Sequence, residues 1–214
     1  MTADQAASPP AEQLLGLAAR RQDGVLADPG RRHEIHLRAG RITHVLVGGV
    51  RPGPGPGPDR AAGTAAAALA TREAFVDGVR ELLDADPGAA ARWAPKRRSP
   101  LDTAGVRLNV PGVLAEVGRR RAVLERLAGL VTADAPLARR PELPVAAVRI
   151  TPRQWALLAL AEEGVTPREL AGPLGDSVFR TVCRCHELLR LGLLDAPSAT
   201  APAPGAALFL ASSD

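Results

Sequence analysis

The chain has 214 residues, enough for one large domain or two small ones, and with 46% hydrophobic and 23% charged residues it is not a disordered polymer. Three phenylalanines, two tryptophans and no tyrosine leave the cores to Leu, Val and Ala, which argues against nucleic-acid recognition by aromatic stacking. The net charge of +4 comes from arginine, with Lys96 the sole lysine, a mild bias toward anionic partners; the only cysteines, Cys183 and Cys185, are two apart on a helical pattern, which excludes a disulfide framework.

The opening "MTADQAASPP" has no basic stretch followed by an apolar run, and no segment reaches the ~18 consecutive apolar residues of a membrane span, so a cytoplasmic protein is expected. Residues 1–10 read as a disordered leader. "AEQLLGLAARR" then places Leu14, Leu15, Ala18 and Ala19 at helical spacing. Alternating apolar residues predict three strands: Val25 and Leu26 in the first, Ile35 and Leu37 in the second, and Ile42, Val45 and Val47 in the third. Gly40 supplies the tight turn between the last two.

"GGVRPGPGPGPDRAAG" holds neither helix nor ladder and predicts a loop over 48–63. Helical spacing resumes through Phe75, Val79 and Leu82 and stops at Pro87-Gly88, and a closing strand is expected beside Trp93. A longer helix over 109–130 carries Val113, Val117, Val123 or Leu124, and Leu127, leaving open whether it packs on the preceding domain or bridges to the following one. Residues 92–126 contain nine basic and three acidic residues, a net of +6. Lys96, Arg97, Arg98, Arg119, Arg120 and Arg121 are therefore the candidate anion patch, against the plainer reading of a solvated helix face.

After a linker over 131–149, Thr151-Pro152 opens a helix whose apolar face is expected to be Trp155, Leu158 and Ala159. Thr166, Pro167 and Glu169 cap a second, shorter helix ended by Gly172, Pro173 and Gly175. Asp176 or Ser177 caps a third, with Val178, Val182, Cys185 and Leu189 as its apolar stripe; "LGLLD" turns out of it into a strand. Three helices with a tight turn before the third form a helix-turn-helix pattern.

If this module over 150–195 meets DNA, the candidate contacts are Ser177, Arg180, Thr181 and Arg184 on the third helix and Arg153 on the first. Arg180 and Arg184 are the natural groove or phosphate readers. Yet residues 151–195 hold five arginines and six acids, a net of −1, so DNA affinity would need help from the basic middle region or from a homodimer. The remaining 196–214 is expected to be a disordered tail.

Taken together, "LLGLAARRQDGVLAD", "EIHLRAGRITHVLVGG", "LNVPGVLAEVGRRRAVLERL" and "TPRQWALLALAEEGVTPRELAGPLG…LLRLGLLD" resemble, in order and spacing, the PATAN-like family of bacterial regulatory domains. The resemblance runs from about residue 11 to 195. It implies an α/β interaction domain over 11–130, a winged-helix-like end, no catalysis and action by binding other proteins of two-component or small-GTPase systems. The Gly-Pro insertion at 52–58 and "RRRAVLER" depart from the family pattern.

Other chemistry finds little footing. Cys183 and Cys185 point to different helix faces and, with His186, lack a fourth ligand, and His33, His36 and His44 read as surface histidines without a completing ligand. The Gly/Pro loop lacks both the Lys-Ser/Thr ending and the N–H donors of a phosphate loop, and no nucleophile elbow is present. The expectation is an α+β protein, not an enzyme and without cofactor. Its α/β domain precedes a winged-helix-type module that either reads DNA or serves a signalling adaptor as a protein-contact or dimerisation surface, with no membrane partner.

Overall fold

The computed structural model describes residues 9–28, 33–47, 64–84, 91–95, 106–142 and 147–196, with the side chains of 64–67 left aside. The expected leader up to residue 8, the Gly/Pro loop over 48–63 and the tail from 197 lie outside the described residues. The fold is α+β, with six helices and a five-stranded antiparallel sheet among the described residues.

Helix α1 (Pro10–Ala19) begins inside the expected leader, because Pro10 sits at the first helical position, where its missing N–H costs nothing. Strands β1 (Gly24–Asp28), β2 (His33–Arg38) and β3 (Arg41–Leu46) form the expected meander. The β2–β3 turn has positive φ at both central residues, 48° at Ala39 and 71° at Gly40, the twist that matches paired strands. A Cβ at Gly40 would lie 2.5 Å from the Ala18 carbonyl oxygen, so this turn is also where the hairpin abuts the end of α1.

Helix α2 (Thr64–Asp84) follows, then β4 (Arg92–Pro95), the closing strand expected beside Trp93. β5 (Leu108–Asn109) leads into α3 (Val110–Leu127), capped by the Asn109 side chain accepting from the Gly112 N–H at 2.6 Å. The sheet order is β4-β1-β2-β3-β5. Its core joins Leu26, Ile35, Leu37, Ile42 and Val45 to Leu14 and Leu17 of α1, Phe75, Val79 and Leu82 of α2, and Val110, Val113 and Val117 of α3.

The second core belongs to β6 (Ala138–Arg139), α4 (Pro152–Leu160), α5 (Pro167–Leu174), α6 (Val178–Arg190) and β7 (Leu194–Asp195), with β6 paired to β7. Capping boxes start α4 at Thr151 and α5 at Thr166, and Gly175 ends α5 in the left-handed region at φ 61°. The stretch expected as a linker instead supplies β6 and buries Val131 and Leu137. α3 bridges: its C-terminal Leu124 and Leu127 pack against the second core.

α6 departs from its expected single stripe. Val182, Cys185 and Leu188 face the second core, while Phe179 and Thr181 are also buried, so its N-terminal half is covered on two sides. Trp155 departs the other way: it is 65% exposed, because Leu157 and Leu158 fill the core from α4.

α2 lies unusually close to the sheet, since a Cβ at Gly78 would come within 2.6 Å of Val45 Cγ1 and 3.0 Å of Val47 Cγ2. A β-branched side chain held by a strand cannot swing away. Gly78→Ala should therefore lower stability by about 1 kcal/mol, the overpacking cost of about 1–3 kcal/mol exceeding the gain of just under ~1 kcal/mol in helix propensity. Urea unfolding measures this, and a stabilised variant would mean the helix sits farther from β3 than described.

Candidate functional site

Five of the sequence-derived candidates lie on or beside α6, and the first question is what that helix presents. Its first turn does not face open solvent; it is seated against α2 and α3. The seat is ionic. Arg120 of α3, only 1% exposed, donates from Nη1 to Asp77 Oδ1 at 2.7 Å and from Nε to Glu116 Oε1 at 2.9 Å, and it pairs through Nη2 with Glu73. Its guanidinium lies 4.8 Å from the centroid of the Phe179 ring. The other oxygen of Asp77, Oδ2, accepts from the Phe179 N–H at 3.2 Å.

One buried carboxylate thus ties α2 at once to an arginine of α3 and to the positive end of the α6 dipole. Burial pushes the Asp77 carboxyl above its ordinary range, opposed by the Arg120 charge and the Phe179 N–H. Glu116 shows the opposite balance: hydrogen bonds from Arg119, aided by Arg120, pull it down to about 2.

Each α6 candidate is committed within this arrangement. Ser177 is buried and is the N-cap, accepting from the Arg180 N–H at 3.2 Å. Thr181 is fully buried and donates to the Ser177 carbonyl at 3.0 Å. Arg184 is half-buried and paired with Asp176, and Arg153, the exposed member, stands 3.9 Å from the same carboxylate. Arg180 keeps 43% of its side chain in solvent, with Nε 3.9 Å from Glu73. A continuous five-residue DNA face is therefore not what folds, because capping and docking use the hydroxyls and Asp176 engages two of the arginines.

The candidate anion patch is divided in the same way. Arg119 donates to Glu116 at 2.8 and 2.6 Å, Arg120 is enclosed as described, and Arg121 pairs with Asp84. Lys96, Arg97 and Arg98 lie outside the described residues.

The residues that sequence reasoning missed are the acids of α2. Glu73, Asp77, Glu81 and Asp84 recur every three or four residues along the side of the helix away from Phe75, Val79 and Leu82, a pattern readable in the sequence itself. Glu81 pairs with Arg168 of α5, which also donates to Asp134 at 2.6 Å, and it lies 3.9 Å from His33. The hydrogen bonds that Arg168 donates to these carboxylates raise its pKa, that to Asp134 most.

The histidines expected at the surface are mostly inside. His36 and His44 face each other across β2 and β3 with ring centroids 5.5 Å apart, and His44, fully buried, meets Phe75 at 5.9 Å. No group of three or more His, Cys, Asp or Glu side chains that would hold a metal occurs among the described residues. Burial raises the Cys183 thiol pKa and pushes that of Cys185 up to about 12, leaving both thiols protonated at neutral pH. No helix among the described residues is long and apolar enough to cross a membrane. No family model, no curated protein and no solved structure matches the chain.

Removing Arg120 leaves Asp77 buried without its cation, so Arg120→Ala should cost about 3–5 kcal/mol. In a double-mutant cycle with Asp77→Asn, denaturant unfolding should return a coupling of at least about 1 kcal/mol; additivity would show that the two side chains do not depend on each other.

Glu116→Gln should cost roughly 1–2 kcal/mol at neutral pH, a figure reduced for its partial exposure. Because its folded-state pKa is depressed from 4.5 to about 2, the contribution is whole above about pH 4.5 and fades toward pH 2. Melting curves of wild type and variant should therefore converge as the solution is acidified through that window, and a constant gap would contradict the assignment.

Proposed function

We propose that this chain is a cytoplasmic regulatory protein without enzymatic chemistry that acts by docking a protein partner, its α4–α6 unit serving as a winged-helix-type scaffold. One observation carries the reading. A recognition helix enters the major groove with its N-terminal residues toward the bases. Here that end of α6 is the buried one, held by Asp77 and stacked under Arg120.

What the unit does offer to solvent is the outer side of α4. Pro152, Trp155 and Ala159, three and four residues apart, are exposed together, and Trp155 is the most exposed large hydrophobic side chain among the described residues. A solvent-facing tryptophan on a rigid helix is the type of anchor that dominates protein interfaces. The reading rests on this geometry and not on the PATAN-like resemblance, although both lead to a protein partner.

A second reading, a DNA-binding regulator using Arg180 and Arg184, is favoured by the partial exposure of Arg180 and by the helix-turn-helix order of α4 to α6. Gel mobility shift with the purified chain and random duplex DNA separates the two. Protein docking predicts no retained complex at moderate salt, around 0.15 M, and no difference on Arg180→Ala or Arg184→Ala. A complex that weakens steeply with salt and with either substitution would replace the first reading by the second. For a partner identified by crosslinking in the native cell, Trp155→Ala should weaken binding at least about tenfold without altering the fold. Unchanged affinity would remove α4 as the docking face.

A further inference from the structure

The contact between α2 and the α5–α6 unit is built from charges rather than apolar side chains. Besides Phe179, the groups that meet there are Glu73, Asp77 and Glu81 on one side and Arg168, Arg180 and the α6 N-terminus on the other. α2 cannot move off the sheet, because Phe75, Val79 and Leu82 are in the core and Gly78 presses on β3. Its acids are therefore fixed in place as a negative surface, and two arginines and a helix dipole from the second unit lie on it.

From this juxtaposition we propose that the acidic stripe of α2 is an internal occupant of a nucleic-acid seat: it fills the place on Arg168, Arg180 and the first turn of α6 that the phosphates of a DNA backbone would otherwise take. The seat has the composition phosphate contacts use, two forked guanidinium donors beside main-chain N–H groups at a helix start. Asp77 already fills one of those N–H groups as an anion would. Arg168 and Arg180 keep 42% and 43% of their side chains in solvent; Arg180 stands 3.9 Å from a Glu73 oxygen that Arg120 already holds, and Arg168 divides itself between Glu81 and Asp134, so a polyanion has both guanidinium groups within reach. Of the five arginines in residues 151–195, Arg168 and Arg180 are the two that meet the acids of α2, whereas Arg153 and Arg184 lie against Asp176. α3, which packs into both cores, is the element about which the two units would part.

The inference goes beyond the protein-docking reading and does not depend on it. The test uses the full chain carrying Glu73→Gln and Glu81→Gln, which leaves Arg120 its ion pairs with Asp77 and Glu116 and whose fold is checked by its melting curve, and a second variant that adds Asp77→Asn. Hydrogen exchange at the amides of Phe179 and Arg180 reports opening, and binding of a labelled random DNA duplex at about 0.1 M salt reports the seat.

Expected are faster exchange at these amides and at least about a tenfold gain in DNA affinity over wild type, abolished when Arg168→Ala and Arg180→Ala are added. Unchanged exchange or unchanged affinity in the folded double variant overturns the proposal, as does a gain that survives loss of both arginines. Displacement of the duplex by an equal charge of poly-glutamate would overturn the choice of nucleic acid as occupant. DNA binding by wild type as strong as by the variants would overturn both this proposal and the docking reading, whereas an absent gain overturns this proposal alone.

Discussion

A single buried carboxylate decides how the two halves of this molecule sit. Asp77 is 6% exposed, and each of its oxygens has a separate task, one for Arg120 and one for the Phe179 N–H. Burial favours the neutral acid and raises its pKa, and the Arg120 cation and the Phe179 N–H oppose that shift. Phe179 then closes over Arg120, so the ion pair is covered by the helix whose start it holds. Such pairs add little net stability compared with an apolar contact of the same volume, whereas loss of one partner is costly because it leaves the other charge buried.

The bridging helix gives that contact a second support. α3 contributes Val110, Val113 and Val117 to the sheet core and Leu124 and Leu127 to the helical one, with Arg119, Arg120 and Arg121 between the two groups. Its polar middle is therefore placed where neither core reaches, and the carboxylates of α2 and Glu116 fill the gap. An unpaired run of three arginines at that point would hold the units apart, and the acids convert it into a joint.

Local grammar was legible in the sequence and distant pairing was not. The caps at Thr151 and Thr166, the β2–β3 turn and the strand beside Trp93 follow from short-range chemistry that each segment carries by itself. The seating of Phe179, by contrast, depends on a helix about a hundred residues upstream, and periodicity along α6 reveals only the face toward its own unit. Trp155 misled for a related reason: hydrophobicity suggests an interior position, while the register of Leu157 and Leu158 turns it outward. The burial of His36 and His44 is not legible in the sequence because their cross-strand meeting needs the hairpin register, in which a bulge at His36/Leu37 shifts the pairing. The candidate site differs most from its reading because it is made by acids that balance the arginines, and counting basic residues alone overlooks their partners.

The unequal placement of the two indoles makes them unequal witnesses. Trp93 lies on Gly24, where a Cβ would come within 2.6 Å of its ring, and it shares the environment of the five-stranded sheet; Trp155 already meets water on α4 in the native state. With no tyrosine to add emission, the intrinsic fluorescence of this chain follows the loosening of β1 and β4 while remaining nearly blind to the melting of the helical unit. An optical transition therefore speaks for one half of the molecule, and only a probe of helix content speaks for the other.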